Sequence, residues 1–202
     1  MSVVPWFGQP EHPVGTAILL PGRSFGVSTP LLHWSAELLT EHGWSVLAVS
    51  YDFDEVARDA RAHVLRCAGA ALERAVDDRP VMVVAKSLGT LALPWAVQNG
   101  LPGAWLTPLL QDAPAVTAAH EARQPTLLVG GTADPHWQPP LSAGPAVSLM
   151  ELAGADHGLQ RPGEWRRSLL DQVAIFDRVR ELAEHVLARK TMSEAAAPDG
   201  GR

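Results

Sequence analysis

Val81–Thr90 reads VMVVAKSLGT, and the interpretation of the whole chain turns on it. Val81, Met82, Val83 and Val84 are four apolar residues, three of them β-branched. They run into Ala85-Lys86-Ser87-Leu88-Gly89, and a helix-compatible segment follows. Such a run predicts a parallel strand buried on both faces that ends in a tight turn feeding a helix. The turn has the form small-x-Ser-x-Gly. Small residues are needed two before and two after the serine because strand and helix backbones approach closely there. The same squeeze pushes the serine hydroxyl out at the end of the strand. Ala85 holds the leading position where glycine is more usual, which adds one methyl group. On its own the pentapeptide also reads as a serine capping a helix N-terminus, so its context decides between the two.

Working outward, Val3, Val4, Trp6 and Phe7 suggest a short edge strand, and Thr16–Leu20 is the first buried one. It enters Pro21-Gly22-Arg23-Ser24-Phe25-Gly26, a loop suited to unusual backbone angles. Thr29-Pro30 starts a helix that Gly43 closes, and Trp44–Val49 is the next strand. A helical pattern covers about 54–78, and another follows the serine from Leu88 to about Gln98. Ala104–Leu106 is a short strand, and a brief helix near Val116–Glu121 leads to the strand Thr126–Val129. Its loop is Gly130-Gly131-Thr132-Ala133-Asp134-Pro135-His136-Trp137. Val147–Leu152 is the last strand and precedes Ala153-Gly154-Ala155-Asp156-His157-Gly158. A final helix over about 163–188 carries Leu169, Val173, Phe176, Ala183 and Leu187 on one face.

Alternation of strands and helices predicts an α/β fold, a doubly wound, mostly parallel sheet of about six to seven strands. Residues 1–190 are expected to form a single domain and 191–202 a disordered tail, because the end of the chain is small and polar. In such sheets ligands bind at the carboxyl ends of the strands, where the polar loops above are placed.

Composition narrows the function classes. A net charge of −6 and no basic run leave no electrostatic footprint for nucleic acid. Every apolar run is interrupted by Pro, Gly or charge before reaching membrane-spanning length, and the start of the sequence has no signal-peptide pattern. Cytoplasm is the expected compartment. The single Cys67 excludes an intrachain disulfide and a cysteine-based metal site, and the histidines show no paired ligand spacing. No metal or organic cofactor is expected.

Ser87, Asp134 and His157 each lie just beyond a different strand, at one sheet edge, in the chain order Ser, Asp, His. A serine hydroxyl becomes a useful nucleophile when a base takes its proton, and the base works best when a carboxylate fixes its tautomer. With Ala85-Lys86-Ser87-Leu88-Gly89, Gly131-Thr132-Ala133-Asp134 and Gly154-Ala155-Asp156-His157-Gly158 in this order, the sequence from about 14 to 188 resembles the α/β-hydrolase family. Asp112 and Asp156 are rival acids: Asp112 follows the preceding strand, while Asp156 adjoins His157 and would reach its ring awkwardly.

The resemblance implies an oxyanion hole made by the backbone N–H of Leu88, after the nucleophile, and an N–H of the loop after the earlier strand. There Pro21-Gly22-Arg23 points to Arg23, with Ser24 the alternative. It also implies a lidless enzyme, since many members insert a lid where this chain has room for one helix between Leu106 and Thr126. Phe25, Leu109 and Trp137 are the apolar residues placed near the mouth. Lys86 adjoins the serine, but neighbouring side chains in a strand point to opposite faces. A structural or pocket-edge role is therefore expected of it. The implied activity is a serine hydrolase that cleaves a small-molecule ester or thioester through an acyl-enzyme. Its rivals are a non-catalytic scaffold of the same fold acting as a binding module, and a nucleotide-binding domain, which the missing Gly-x-Gly-x-x-Gly turn disfavours. Oligomeric state is not legible.

Overall fold

The computed structural model describes residues 2–139 and 143–196. Seven strands, β1 (Ser2–Pro5), β2 (Gly15–Leu20), β3 (Trp44–Ser50), β4 (Val81–Lys86), β5 (Gly103–Leu106), β6 (Thr126–Gly131) and β7 (Val147–Leu152), form one sheet. Their order is β1-β3-β2-β4-β5-β6-β7. Only β1 runs antiparallel, as the edge strand beside β3. The chain leaves β2 toward β3 and returns on the other side to β4, so the crevice between the ends of β2 and β4 is where ligands bind in open sheets of this kind.

The central strands are covered on both faces. Ile18, Leu20, Val83 and Ala85 point to one side, where they pack with α3 (Ala60–Leu72), α4 (Leu93–Gln98) and α5 (Ala113–Glu121). Ala17, Leu19, Met82 and Val84 point to the other, against α1 (Pro30–Glu41) and α6 (Trp165–Ala196). This period-two alternation between two apolar layers explains why β2 and β4 read as continuous apolar runs. Among the described residues the connection from β5 to β6 holds only α5, and no lid covers the strand ends. No described helix is long and apolar enough to cross a membrane.

Three expectations need correction. The helical pattern over 54–78 is two helices, α2 (Phe53–Arg58) and α3, broken at Asp59. The extended backbone of Asp59 (φ −155°, ψ 95°) lets its carboxylate cap α3 by accepting from the Ala62 N–H. Only the later part of the stripe read in the final helix faces inward: Ala183 is buried, and Phe176 and Leu187 pack against the core. Ile175, Val179, Leu182 and Val186 face the sheet, while Leu169 and Val173 are 54% and 56% exposed. Residues 191–196, expected to be part of a disordered tail, continue α6 to Ala196. Alanine and glutamate propagate a helix that is already nucleated. Residues 197–202 lie outside the described residues.

Candidate active site

β4 carries Ser87 to the sheet edge, and the turn beyond it is as tight as the sequence requires. Ser87 has φ 49°, a left-handed angle that few side chains adopt and that marks a backbone held by its surroundings. A Cβ placed on Gly89 would lie 2.4 Å from the carbonyl oxygen of Leu20, so strand β2 and the turn touch backbone to backbone. Ala85, two residues before the serine, is fully buried, and its methyl is accommodated. The segment Ser87–Ala92 is a 3₁₀ turn that passes into α4, where the sequence suggested one continuous helix.

Asp134 and His157 arrive from the loops after β6 and β7. These two loops are clamped together. The Thr132 N–H donates to Leu152 O and the Ala133 N–H to Ala155 O, both at 3.0 Å. A Cβ on Gly131 would come within 2.1 Å of the Ala155 carbonyl, so only glycine allows this approach. Asp134 has no exposed side-chain surface. Its Oδ1 accepts the His136 N–H at 2.9 Å, and its Oδ2 lies 2.7 Å from His157 Nδ1. On the far side of the ring, His157 Nε2 lies 2.8 Å from Ser87 Oγ. With Nδ1–H donating to the carboxylate, Nε2 is left as the acceptor for the serine hydroxyl. The imidazole is one-third exposed, so its outer edge stays open to a reacting group.

The rival acids are engaged elsewhere. Asp112 caps α5 by accepting the Ala115 N–H at 3.0 Å and pairs with Arg61 at 2.5 Å. Asp156 folds back on its own loop, accepting the N–H groups of Gly158 at 2.7 Å and Gln160 at 3.1 Å. It shapes the turn that presents His157.

The loop after β2 closes on itself through the Gly22 N–H, which donates to Phe25 O at 3.0 Å. It lies against the serine, since a Cβ on Gly22 would sit 3.4 Å from Ser87 Cβ. The Arg23 N–H has no acceptor among the described residues. That of Leu88 opens a helical turn, where the first N–H groups have no partner within the helix. A cleft of about 370 Å³ adjoins this loop, lined by Arg23, Ser24, Ser28, Tyr51 and Phe53 among others.

The three apolar mouth residues fare differently. Leu109 is half-buried, its N–H donating to Thr90 Oγ1 at 3.2 Å. Phe25 is half-buried and covers the Lys86 ammonium, with Nζ 4.5 Å from the ring centre. Trp137, expected to line a substrate pocket, is instead core. It is 7% exposed, its ring fills the space where Gly130 has no side chain, and its indole N–H donates to Glu151 at 2.8 Å. Gly130 was readable only as a loop glycine, whereas its role is to leave room for that ring.

Two further side chains stand at the site, of which Thr107 was not singled out from sequence. His136 stands edge-on to His157, ring centres 5.1 Å apart. Thr107, at the end of β5, accepts a hydrogen bond from the fully buried Lys86 at 3.0 Å. Burial pushes the Lys86 ammonium down to about 8, a fall that the charges of Asp134 and Asp156 partly offset.

Three solved structures share the architecture of this open, mostly parallel sheet over most of their length. Est1E from Butyrivibrio proteoclasticus, with ferulic acid bound, matches with a TM-score of 0.69 at 12% identity, over 92% of this chain and 96% of its own. A dienelactone hydrolase from Anabaena variabilis matches with a TM-score of 0.64 at 18% identity, over 88% and 89%. The chain has the α/β-hydrolase fold. An α/β serine hydrolase without a lid from Xanthomonas campestris also matches, with a TM-score of 0.58 at 14% identity over 91% and 88%. At the level of sequence, neither a family model nor a curated protein matches. The α/β-hydrolase fold therefore rests on topology and shape, and the chemistry must be argued from the site.

Proposed function

We propose that this protein is a serine hydrolase that cleaves a small ester or thioester through an acyl-enzyme. One observation carries the reading: the unbroken hydrogen-bonded chain from Asp134 through both nitrogens of His157 to Ser87, at 2.7 and 2.8 Å. In this scheme His157 Nε2 takes the hydroxyl proton as Ser87 Oγ attacks the acyl carbonyl, and Asp134 stabilises the imidazolium. The N–H groups of Leu88 and Arg23 receive the developing oxyanion. His157 returns the proton to the leaving alcohol or thiol. A water then attacks the acyl-serine, giving its proton to His157, and the acid departs with Ser87 restored. None of these steps calls for a metal or organic cofactor. The structural neighbours include esterases and hydrolases, in keeping with this chemistry.

The substrate follows from what covers the site. A lid would supply an apolar groove in which each buried methylene is worth about 0.8 kcal/mol. With only Phe25 and Leu109 half-buried near the serine, carbons beyond the first few of an acyl chain gain little. A fluorophosphonate probe should label the wild type and not Ser87→Ala. The kcat/KM for p-nitrophenyl esters should peak between acetyl and butyryl. Labelling that persists in Ser87→Ala would remove the nucleophile, and a steady rise through long-chain esters would overturn the short-acyl assignment.

A further inference from the structure

Lys86 is an odd residue for its position. It ends a central strand, is fully buried, and has no carboxylate within salt-bridge distance among the described residues. A buried ammonium held by neutral oxygens is costly, and a fold that needed only packing there would use an apolar side chain. What the ammonium touches is specific. Nζ donates to the main-chain carbonyl of His157 and to Thr107 Oγ1, both at 3.0 Å, and lies under the Phe25 ring. One cation thus joins four loops: the serine turn, the end of β5, the histidine loop, and the loop that carries Arg23. Thr107 is itself held at φ 48°, an outlying angle for a β-branched residue, and this is the backbone that presents its hydroxyl to the ammonium.

We propose that Lys86 is a positioning residue: its buried ammonium grips the His157 carbonyl and fixes the imidazole over Ser87. The proposal rests on the hydrolase reading for its catalytic consequence, but the tether can be tested without turnover. A lost tether lets the histidine loop drift, and displacements of about 1 Å in catalytic geometry are worth roughly 100-fold. Because the side chain holds the base and contacts no substrate, the loss falls on kcat and leaves KM in place.

The test uses Lys86→Met, which keeps length and apolar bulk while deleting the charge and the donor. Expected are a melting temperature equal to or above that of the wild type, kcat on p-nitrophenyl acetate lower by about 30- to 100-fold with KM unchanged, and faster amide exchange across residues 153–160. Thr107→Val, a milder change that removes one of the two anchors, should show the same kcat-only loss to a smaller degree. It decides the matter if Lys86→Met does not fold. Wild-type kcat or wild-type exchange in the deciding variant overturns the proposal, as does a loss that merely tracks the fraction unfolded. If the wild type neither hydrolyses esters nor takes the fluorophosphonate label, the hydrolase reading fails. The exchange rates of 153–160 then decide the tether alone.

Discussion

The serine turn and helix α6 were both read from sequence patterns, and the first was read more closely than the second. In the turn Gly89 answers to a backbone contact with Leu20 O, and Ser87 is itself held at φ 49°. No neighbouring phase satisfies both. Helix α6 answers only to a stripe. Leu169, Val173, Phe176, Ala183 and Leu187 repeat at helical spacing, and so do Ile175, Val179, Leu182 and Val186. The two rows adjoin on the helix, and packing against the sheet buries the second row with Ala183, sets Phe176 and Leu187 beside it, and leaves Leu169 and Val173 exposed. Close backbone approach leaves a sharper trace in a sequence than amphipathic spacing, which says that a helix is there but not which side faces in.

The largest expected effect lies in the part where contact dictates identity. Asp134→Asn keeps the shape of the acid but offers His157 an amide, which favours the wrong imidazole tautomer and should lower kcat roughly 10⁴-fold. Asp112→Asn and Asp156→Asn should leave kcat within about tenfold of the wild type, since one caps α5 and the other shapes a turn. Steady-state kinetics on a short-chain ester separates the three. A severe Asp112→Asn would move the acid to β5 and break the claim that the site was legible in the sequence.

The next effect is on stability. Gly89→Ala puts a Cβ 2.4 Å from a main-chain oxygen that cannot rotate away, and should destabilise by about 3 kcal/mol. Gly69 in α3 has nothing within 4 Å of the same added atom, and Gly69→Ala should stabilise by about 0.5–1 kcal/mol through helix propensity. Urea melts of the pair measure the difference directly. Equal and small changes would mean that strand and turn separate easily, and that the small-x-Ser-x-Gly form is not enforced by packing.

These contrasts also explain which parts of the site sequence reading could reach. Ser87, Asp134 and His157 sit in loops punctuated by glycine, each beyond an apolar strand, so their proximity followed from topology. Trp137 did not follow, because its place depends on the space Gly130 leaves, a relation between two side-chain positions with no periodic signature. Lys86 was legible as a structural or pocket-edge residue but not as a tether, since its partners, Thr107 and the carbonyl of His157, come from loops 21 and 71 residues away. The break at Asp59 was hidden because an aspartate inside a helical pattern and one capping a new helix look alike until the backbone angles are known.

The smallest effect tests the helix side of the comparison. Ile175 is fully buried among the residues that join α6 to the sheet, and Ile175→Ala should cost about 3 kcal/mol in transfer and cavity terms. Leu169 belongs to the stripe that the sequence favoured, yet it is 54% exposed, with Leu170 at 70% and Trp165 at 66% beside it. Leu169→Ala removes little buried surface and puts the best helix former in its place, so its effect should stay within about 0.5 kcal/mol. Chemical denaturation of the two variants, with unchanged m-values, assigns the buried face. A loss of several kcal/mol at Leu169 would require that end of the stripe to be covered in solution. Concentration-dependent stability of the wild type would then show whether a second copy provides the cover, because association raises stability by mass action and packing within one chain does not.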